Sequence, residues 1–166
     1  MRVLGASLLL MLLVGCQAAS REEVMDAEKK HIEALLQREA QEIWTEGNAE
    51  LIPQVYADTQ IAHYGDQVLR MSHDAKRQML ASWLGSFPDL VIAVDDILVS
   101  GDRAAVRYTV SGTHLGEFEG HEPTGKSFRI EQVYFLRIED GRIAESWGVW
   151  DQYSFYEQLG FLASQE

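Results

Sequence analysis

The side chains best suited to acid/base chemistry lie between Phe128 and Asp151. Asp140-Gly141 separates two alternating apolar stretches and reads as a two-residue hairpin turn. Such a turn sets Ile138 opposite Ile143, Leu136 opposite Glu145, Tyr134 opposite Trp147 and Gln132 opposite Val149. Asp151 then falls opposite Ile130, and alternation puts all of these side chains on one face. The face is mostly apolar, so Gln132, Glu145 and Asp151 are polar groups among core residues. A desolvated carboxylate binds its proton more tightly, as a general base near neutrality must. A longer loop with a bulge would reverse the register.

Each of these residues also has a structural reading. Asp151 opens the last helix, where aspartate serves as an N-cap. Glu145 can pair with an arginine, and Gln132 can satisfy a backbone group. Tyr134, Trp147 and Phe128 can be core rather than substrate platform. His63, next to Ile61 and Ala62, reads equally as a satisfied core histidine or a cavity hydrogen-bond donor. His114, Glu117, Glu119, His121 and Glu122 lie in a Gly-rich connection without the helical spacing of a zinc site, so a solvated acidic loop is the expectation there. No nucleophile elbow, phosphate loop or nucleotide fingerprint is present.

The elements that must position these groups change character at Pro88. Before it, Ser20 and Glu23 have capping-box spacing ahead of an apolar stripe of Ile32, Leu35, Leu36, Ile43 and Trp44, which Gly47 ends. Asn48 caps a short helix through Leu51, Ile52, Val55 and Tyr56, and Gln60–Tyr64 is a short strand. Ser72 caps a third helix carrying Met79, Leu80, Trp83, Leu84 and Phe87. After Pro88, Leu90–Ser100 and Arg103–Thr113 form one hairpin, and Phe128–Ile138 and Arg142–Trp150 another. A helix near Ser154–Leu162 closes the chain. Helices followed by an antiparallel meander define an α+β domain over residues 20–163.

Composition narrows the function classes. The chain has 166 residues, with 14 Lys and Arg against 26 Asp and Glu, a net charge of −12. A surface this acidic excludes nucleic acid, which needs a clustered basic face. The one cysteine, Cys16, can form neither an intramolecular disulfide nor a thiolate metal cage. It follows an apolar run, Leu4–Val14, whose helix would span about 16 Å, roughly half a bilayer core. That is a secretory h-region rather than a membrane span.

Leu13-Val14-Gly15-Cys16 resembles a bacterial lipobox. The resemblance implies a signal peptide over residues 1–15, palmitate-type acylation of Cys16 as the new N-terminus, and a tether over residues 16–19. The protein is then an exported lipoprotein of the cell envelope, held to a membrane by its acyl chains. Gln17 rather than aspartate resembles the outer-membrane sorting pattern of Gram-negative bacteria. Loss of Arg2 with the signal leaves the mature chain one unit more acidic.

Phe87–Leu90 (FPDL), Ser111–Phe118 (SGTHLGEF), Pro123–Lys126 (PTGK), Phe135–Asp151 (FLRIEDGRIAESWGVWD) and Tyr156–Leu162 (YEQLGFL) together resemble the SnoaL-like polyketide cyclases, or ester cyclases, of the nuclear transport factor 2-like group. The resemblance implies a cone-shaped α+β barrel around a pocket, and aldol-type ring closure without metal or cofactor. It places the acid/base role on Asp151 and polar pocket positions at Gln132, Tyr134 and His63; Glu145 and Trp147 join them through the hairpin register. The fold also hosts isomerases, lyases and plain binding modules. Three expectations follow: an acid/base enzyme for a small apolar carbonyl compound, a non-catalytic binder of a small hydrophobic ligand, or a structural dimerisation module. For the last, Arg129, Glu131, Val133, Phe135 and Trp150 are expected on the opposite sheet face, suited to a homodimer.

Overall fold

A computed structural model describes residues 4–162, with side chains from Arg21 onward. Helix α1 (Leu4–Arg38) runs unbroken past Ser20, so the capping-box spacing there opens no helix. Extending a helix adds one hydrogen bond per residue, whereas starting one is costly, and the leucine-rich run before Ser20 removes the need for a new start. The side chains of the signal segment, Cys16 and the tether lie outside the described residues. Among those described, no helix is long and apolar enough to cross a membrane.

Helix α1 continues as a π-helical stretch, Glu39–Thr45, and Gly47 takes up a left-handed conformation (φ 75°) beyond its end. Asn48 accepts from the Glu50 amide and caps a 3₁₀ turn, Ala49–Leu51, which leads into α2 (Ile52–Val55). Strands β1 (Tyr56–Tyr64) and β2 (Gln67–Ser72) form a hairpin, and Ser72 caps α3 (His73–Ser86) through the Ala75 amide. Then come β3 (Val91–Ser100), β4 (Arg103–Thr113), β5 (Ser127–Glu139), β6 (Arg142–Trp150) and α4 (Gln152–Leu159).

The six strands are ordered β2-β1-β6-β5-β4-β3. All neighbours are antiparallel except β1 and β6, which run parallel. The α+β class is as expected, and the helices cover one face of a curved sheet. That sheet is mixed and open, with edges at β2 and β3, rather than a closed barrel. Strand β2 had no alternation to reveal it, because five of its six residues are exposed.

The core joins Ile32, Leu35, Leu36, Ala40 and Ile43 to the inner sheet face at Val106, Tyr108, Val110, Ile130, Leu136 and Ile143. One end is plugged by aromatic rings, with Phe87 and Phe155 fully buried and their centroids 5.8 Å apart. The FPDL segment serves this end. Phe87 fills the plug, and the Asp89 carboxylate accepts from the backbone amide and hydroxyl of Thr113 at 2.7 Å each.

The β5–β6 hairpin departs from the expected register in one place, and the departure decides where side chains go. Ile138 pairs with Ile143 as expected. A bulge then leaves Ala144 as an extra residue on β6, and Arg137 pairs with Glu145, Leu136 with Ser146, Tyr134 with Gly148 and Gln132 with Trp150. Ile143 and Ala144 are both buried, since the bulge lets consecutive residues face inward. Beyond it, Ser146, Gly148 and Trp150 face the helices, while Glu145, Trp147 and Val149 turn to the outer face.

Candidate functional site

Between the helices and the sheet lies a cavity of about 270 Å³. Its walls come from the π-helix (Glu39, Trp44), β1 (Tyr56, Gln60, Tyr64), α3 (Lys76, Met79, Trp83), β4 (Tyr108, Val110), β5 (Gln132, Tyr134, Leu136) and β6 (Ile143, Ser146, Trp150), with Leu90 and Ile92 at the β3 end. Most of the lining is apolar or aromatic.

Glu39 is the carboxylate of this cavity. It sits where α1 passes into the π-helix, and that geometry aligns residues five apart. Trp44, five residues on, therefore reaches back to donate its indole N–H to Glu39 Oε1 at 3.1 Å. Tyr56 donates its hydroxyl to the same oxygen at 2.5 Å, and Tyr108 donates to Oε2 at 2.8 Å. A carboxylate has about four acceptor sites, so three donors leave room for one more partner. Burial first, and then the Glu39 charge, push the Tyr56 and Tyr108 phenols well above the usual tyrosine range. Both phenols thus stay protonated and donate.

Lys76 is the cavity's amine. Its side chain is 5% exposed, with Nζ 4.3 Å from the centroid of the Tyr56 ring. Burial lowers its pKa from 10.5 to about 8, partly offset by the Glu39 charge. Opposite stand Tyr64 and Tyr134, ring centroids 6.5 Å apart at 88°. Burial raises both of these phenols, Tyr134 the more strongly. Gln60 donates to Ser146 Oγ at 3.0 Å, and its Oε1 is buried without a partner among the described residues.

Of the residues singled out in the sequence, Gln132 and Tyr134 line the cavity. Asp151 does not. It is exposed and caps α4, its Oδ1 accepting from the Ser154 amide at 3.0 Å. Ser154 holds its carboxyl below the usual range, the reverse of a desolvated base. The pocket-facing position expected for Asp151 is therefore corrected to a capping position outside the cavity. Because of the bulge, Glu145 and Trp147 leave the cavity too. His63 joins them on the outer face, since it alternates with the inward Ala62 and Tyr64 of β1. There His63 Nε2 lies 2.9 Å from Glu145 Oε1, and Arg137 donates to Glu145 Oε2 at 3.0 Å. The hydrogen bonds from His63 and then Arg137 lower the Glu145 carboxyl. The His63 ring stacks on Trp147, centroids 5.0 Å apart.

The acidic loop resolves into separate structural contacts. His114 is fully buried with Nδ1 3.2 Å from the Thr124 amide, Glu117 accepts from the Gly120 amide at 2.6 Å, and His121 stacks on Phe161. Among the described residues no three histidine, cysteine or acidic side chains converge as metal ligands would.

Glu39 and Lys76 escaped the sequence reading, yet a signal was present. Glu39 lies three and four residues from Leu36 and Leu35 on the buried stripe of α1. Lys76 stands in the same relation to Met79 and Leu80 on α3. A charge on an apolar stripe contradicts the pattern around it, and such contradictions gather at functional sites.

With this geometry in place, the relatives are informative. The model of the SnoaL-like polyketide cyclase family matches residues 34–159, and the chain belongs to that family. Aklanonic acid methyl ester cyclase AcmA from Streptomyces galilaeus is 37% identical over 59 residues, covering 36% of this chain and 41% of that protein. The chain thus aligns with about two fifths of the length of the curated relatives it matches. Among solved structures, TsrD from Streptomyces laurentii superposes with a TM-score of 0.72 at 26% identity, over 80% of this chain and 97% of TsrD. AclR from Streptomyces galilaeus gives 0.69 at 29% identity, over 80% and 87%.

Proposed function

We propose that this chain is a cofactor-free acid/base enzyme of the cyclase, isomerase or lyase type, acting on a small apolar carbonyl compound inside the cavity. The observation that carries the reading is Glu39, a carboxylate in an aromatic cavity held by three neutral donors. A base so placed removes a proton α to a carbonyl, and the remaining phenols and amides stabilise the enolate oxygen. Membership of a polyketide cyclase family, and a relative named for an ester cyclase activity, agree with a substrate rich in carbonyls. Gln132, Tyr134 and Gln60 are the polar groups available to orient it.

The test uses small 1,3-dicarbonyl esters and follows exchange of their α-protons for deuterium by NMR. The wild-type protein should accelerate exchange over buffer. Glu39→Gln should lower the rate by roughly 10²–10⁴-fold, the usual contribution of a positioned base. Quenching of Trp44, Trp83 and Trp150, which line the cavity, reports binding independently. Saturable quenching without accelerated exchange would favour the alternative, a non-catalytic carrier of a small hydrophobic ligand.

The reading extends to location and assembly. The lipobox-like Leu13–Cys16 supports attachment of the mature chain to the cell envelope through acylated Cys16. A homodimer is supported by the outer face of the sheet, where Val133, Phe135 and Val149 are exposed, Val149 at 75%. Trp150, expected on that face, instead lines the cavity. Sedimentation equilibrium of wild type and Phe135→Glu distinguishes a dimer through this face from a monomer.

A further inference from the structure

Lys76 is unlike the other lysines of this chain. Lys29, Lys30 and Lys126 are exposed to solvent, whereas Lys76 is buried and faces the cavity from α3. Among the described residues it forms no salt bridge. The charge acting on it is Glu39, whose oxygens are already engaged by Tyr56, Trp44 and Tyr108. Its ammonium rests against the Tyr56 ring rather than a carboxylate. A primary amine in a largely apolar cavity, with a carboxylate and neutral proton donors lining the same space, is equipped for nucleophilic work.

We propose that Lys76 is an imine-forming catalytic lysine, whose Nζ condenses with a carbonyl carbon of the ligand. The amine lone pair forms the N–C bond while the carbonyl π pair moves to oxygen, and one proton passes from the nitrogen to that oxygen, which leaves a neutral carbinolamine. The carbinolamine hydroxyl then leaves as water after a second protonation, and the nitrogen lone pair closes the C=N bond. The resulting iminium makes the adjacent C–H far more acidic. Glu39 takes that proton, and the enamine so formed can attack a second carbonyl of the same molecule. Addition of water to the product iminium returns the free amine, so no oxidant or co-reactant is consumed. The inference rests on the acid/base reading of the cavity, because Glu39 is the proton acceptor in it.

Desolvation supports the chemistry. With its pKa lowered to about 8, roughly a tenth of the amine is neutral at pH 7, against well under a thousandth for an ordinary lysine. Glu39 on the π-helix, Tyr56 and Tyr64 on β1, Tyr108 on β4 and Tyr134 on β5 are the titratable groups that line the cavity with it.

Acetylacetone tests the proposal, since it condenses with a neutral lysine to a stable enaminone that absorbs in the near ultraviolet. The full chain is incubated with it near pH 7, and the adduct is located by mass spectrometry of peptides. The expected product is one acetylacetone less one water on Lys76, formed at least about ten-fold faster than on Lys29, Lys30 or Lys126. Lys76→Met should abolish that product yet retain saturable tryptophan quenching. Peptide mapping of the wild type decides the matter even if the variant does not fold. Saturable quenching without selective modification of Lys76 would overturn the proposal and leave the Glu39 reading intact. If quenching and selective modification are both absent, the two readings fall together.

Discussion

Replacing Lys76 by methionine should stabilise the protein at neutral pH, and the gain should vanish as the pH is raised. The side chain is 5% exposed and its pKa is about 8 in the folded chain, against 10.5 as the reference for the unfolded chain. At pH 7 both states hold the proton, so the folded state carries the whole cost of burying a cation. The difference in pKa corresponds to about 3 kcal/mol. Methionine is similar in length and apolar, but it forfeits the contact with the Tyr56 ring, worth about 0.5–2 kcal/mol. The net gain at pH 7 is therefore about 1–3 kcal/mol. Between pH 8 and 10.5 the unfolded chain binds more protons than the folded chain at this site, so wild-type stability rises relative to the variant. The slope is about 1.4 kcal/mol per pH unit, and the contribution levels off above 10.5. Taking the difference between the two proteins cancels titrations they share. Glu39 keeps its three donors in the variant, so no new unpaired carboxylate arises. Urea unfolding at pH 6, 7, 8, 9 and 10 measures the gap. A gap that stays constant from pH 7 to 10, or a variant less stable throughout, would refute the description of Lys76 as a desolvated cation.

Gly148→Ala should cost about 1–3 kcal/mol and weaken ligand quenching, because a Cβ there would meet the Tyr134 ring, lying 3.0 Å from Cδ1 and Cζ and closer still to Cε1; unchanged unfolding and binding would show that the ring does not rest on this glycine. Asp151→Ala should lower the thermal midpoint, with Asp151→Asn recovering most of it, and neither should slow α-proton exchange. Since Ser154 lowers the folded-state pKa of Asp151, this stabilisation is present above about pH 4 and is lost as the pH falls through the folded value; a fall in exchange with Asp151→Asn would return the acid/base role to this residue. Cys16→Ser should move the chain from the membrane to the soluble fraction, and continued membrane association would remove the lipoprotein assignment.

The parts of the fold legible in the sequence were those set by local rules. Alternation over β3–β6, the Ser72 cap and the left-handed Gly47 each depend on a few neighbouring residues. The parts that were not legible depend on partners far away. The parallel β1–β6 pairing joins Tyr56–Tyr64 to a strand some eighty residues later, and β2 has β1 as its one strand partner among the described residues. The bulge at Ala144 is both local and silent, since Ile143-Ala144 fits either register until the inner face needs both side chains. One extra residue then exchanges Glu145 and Trp147 for Ser146 and Gly148 in the cavity wall.

That exchange explains why the candidate carboxylate lies on the helical side of the cavity. With β6 offering only Ile143, a hydroxyl, a glycine and Trp150 to the interior, the charge has to come from elsewhere. A regular α-helix would set Glu39 and Trp44 about 140° apart around its axis. The π-helical turn brings them together, and the tyrosines of β1 and β4 supply the other two donors from the sheet. Each of these donors is apolar enough to belong to the core, so the carboxylate is held without an arginine that would neutralise it. The arginine–glutamate–histidine arrangement that does neutralise a carboxylate lies on the outer face, at Arg137, Glu145 and His63. The two faces of the sheet thus treat a carboxylate oppositely: outside, a basic partner holds it, and inside, neutral donors leave its charge free to act on a ligand and on Lys76.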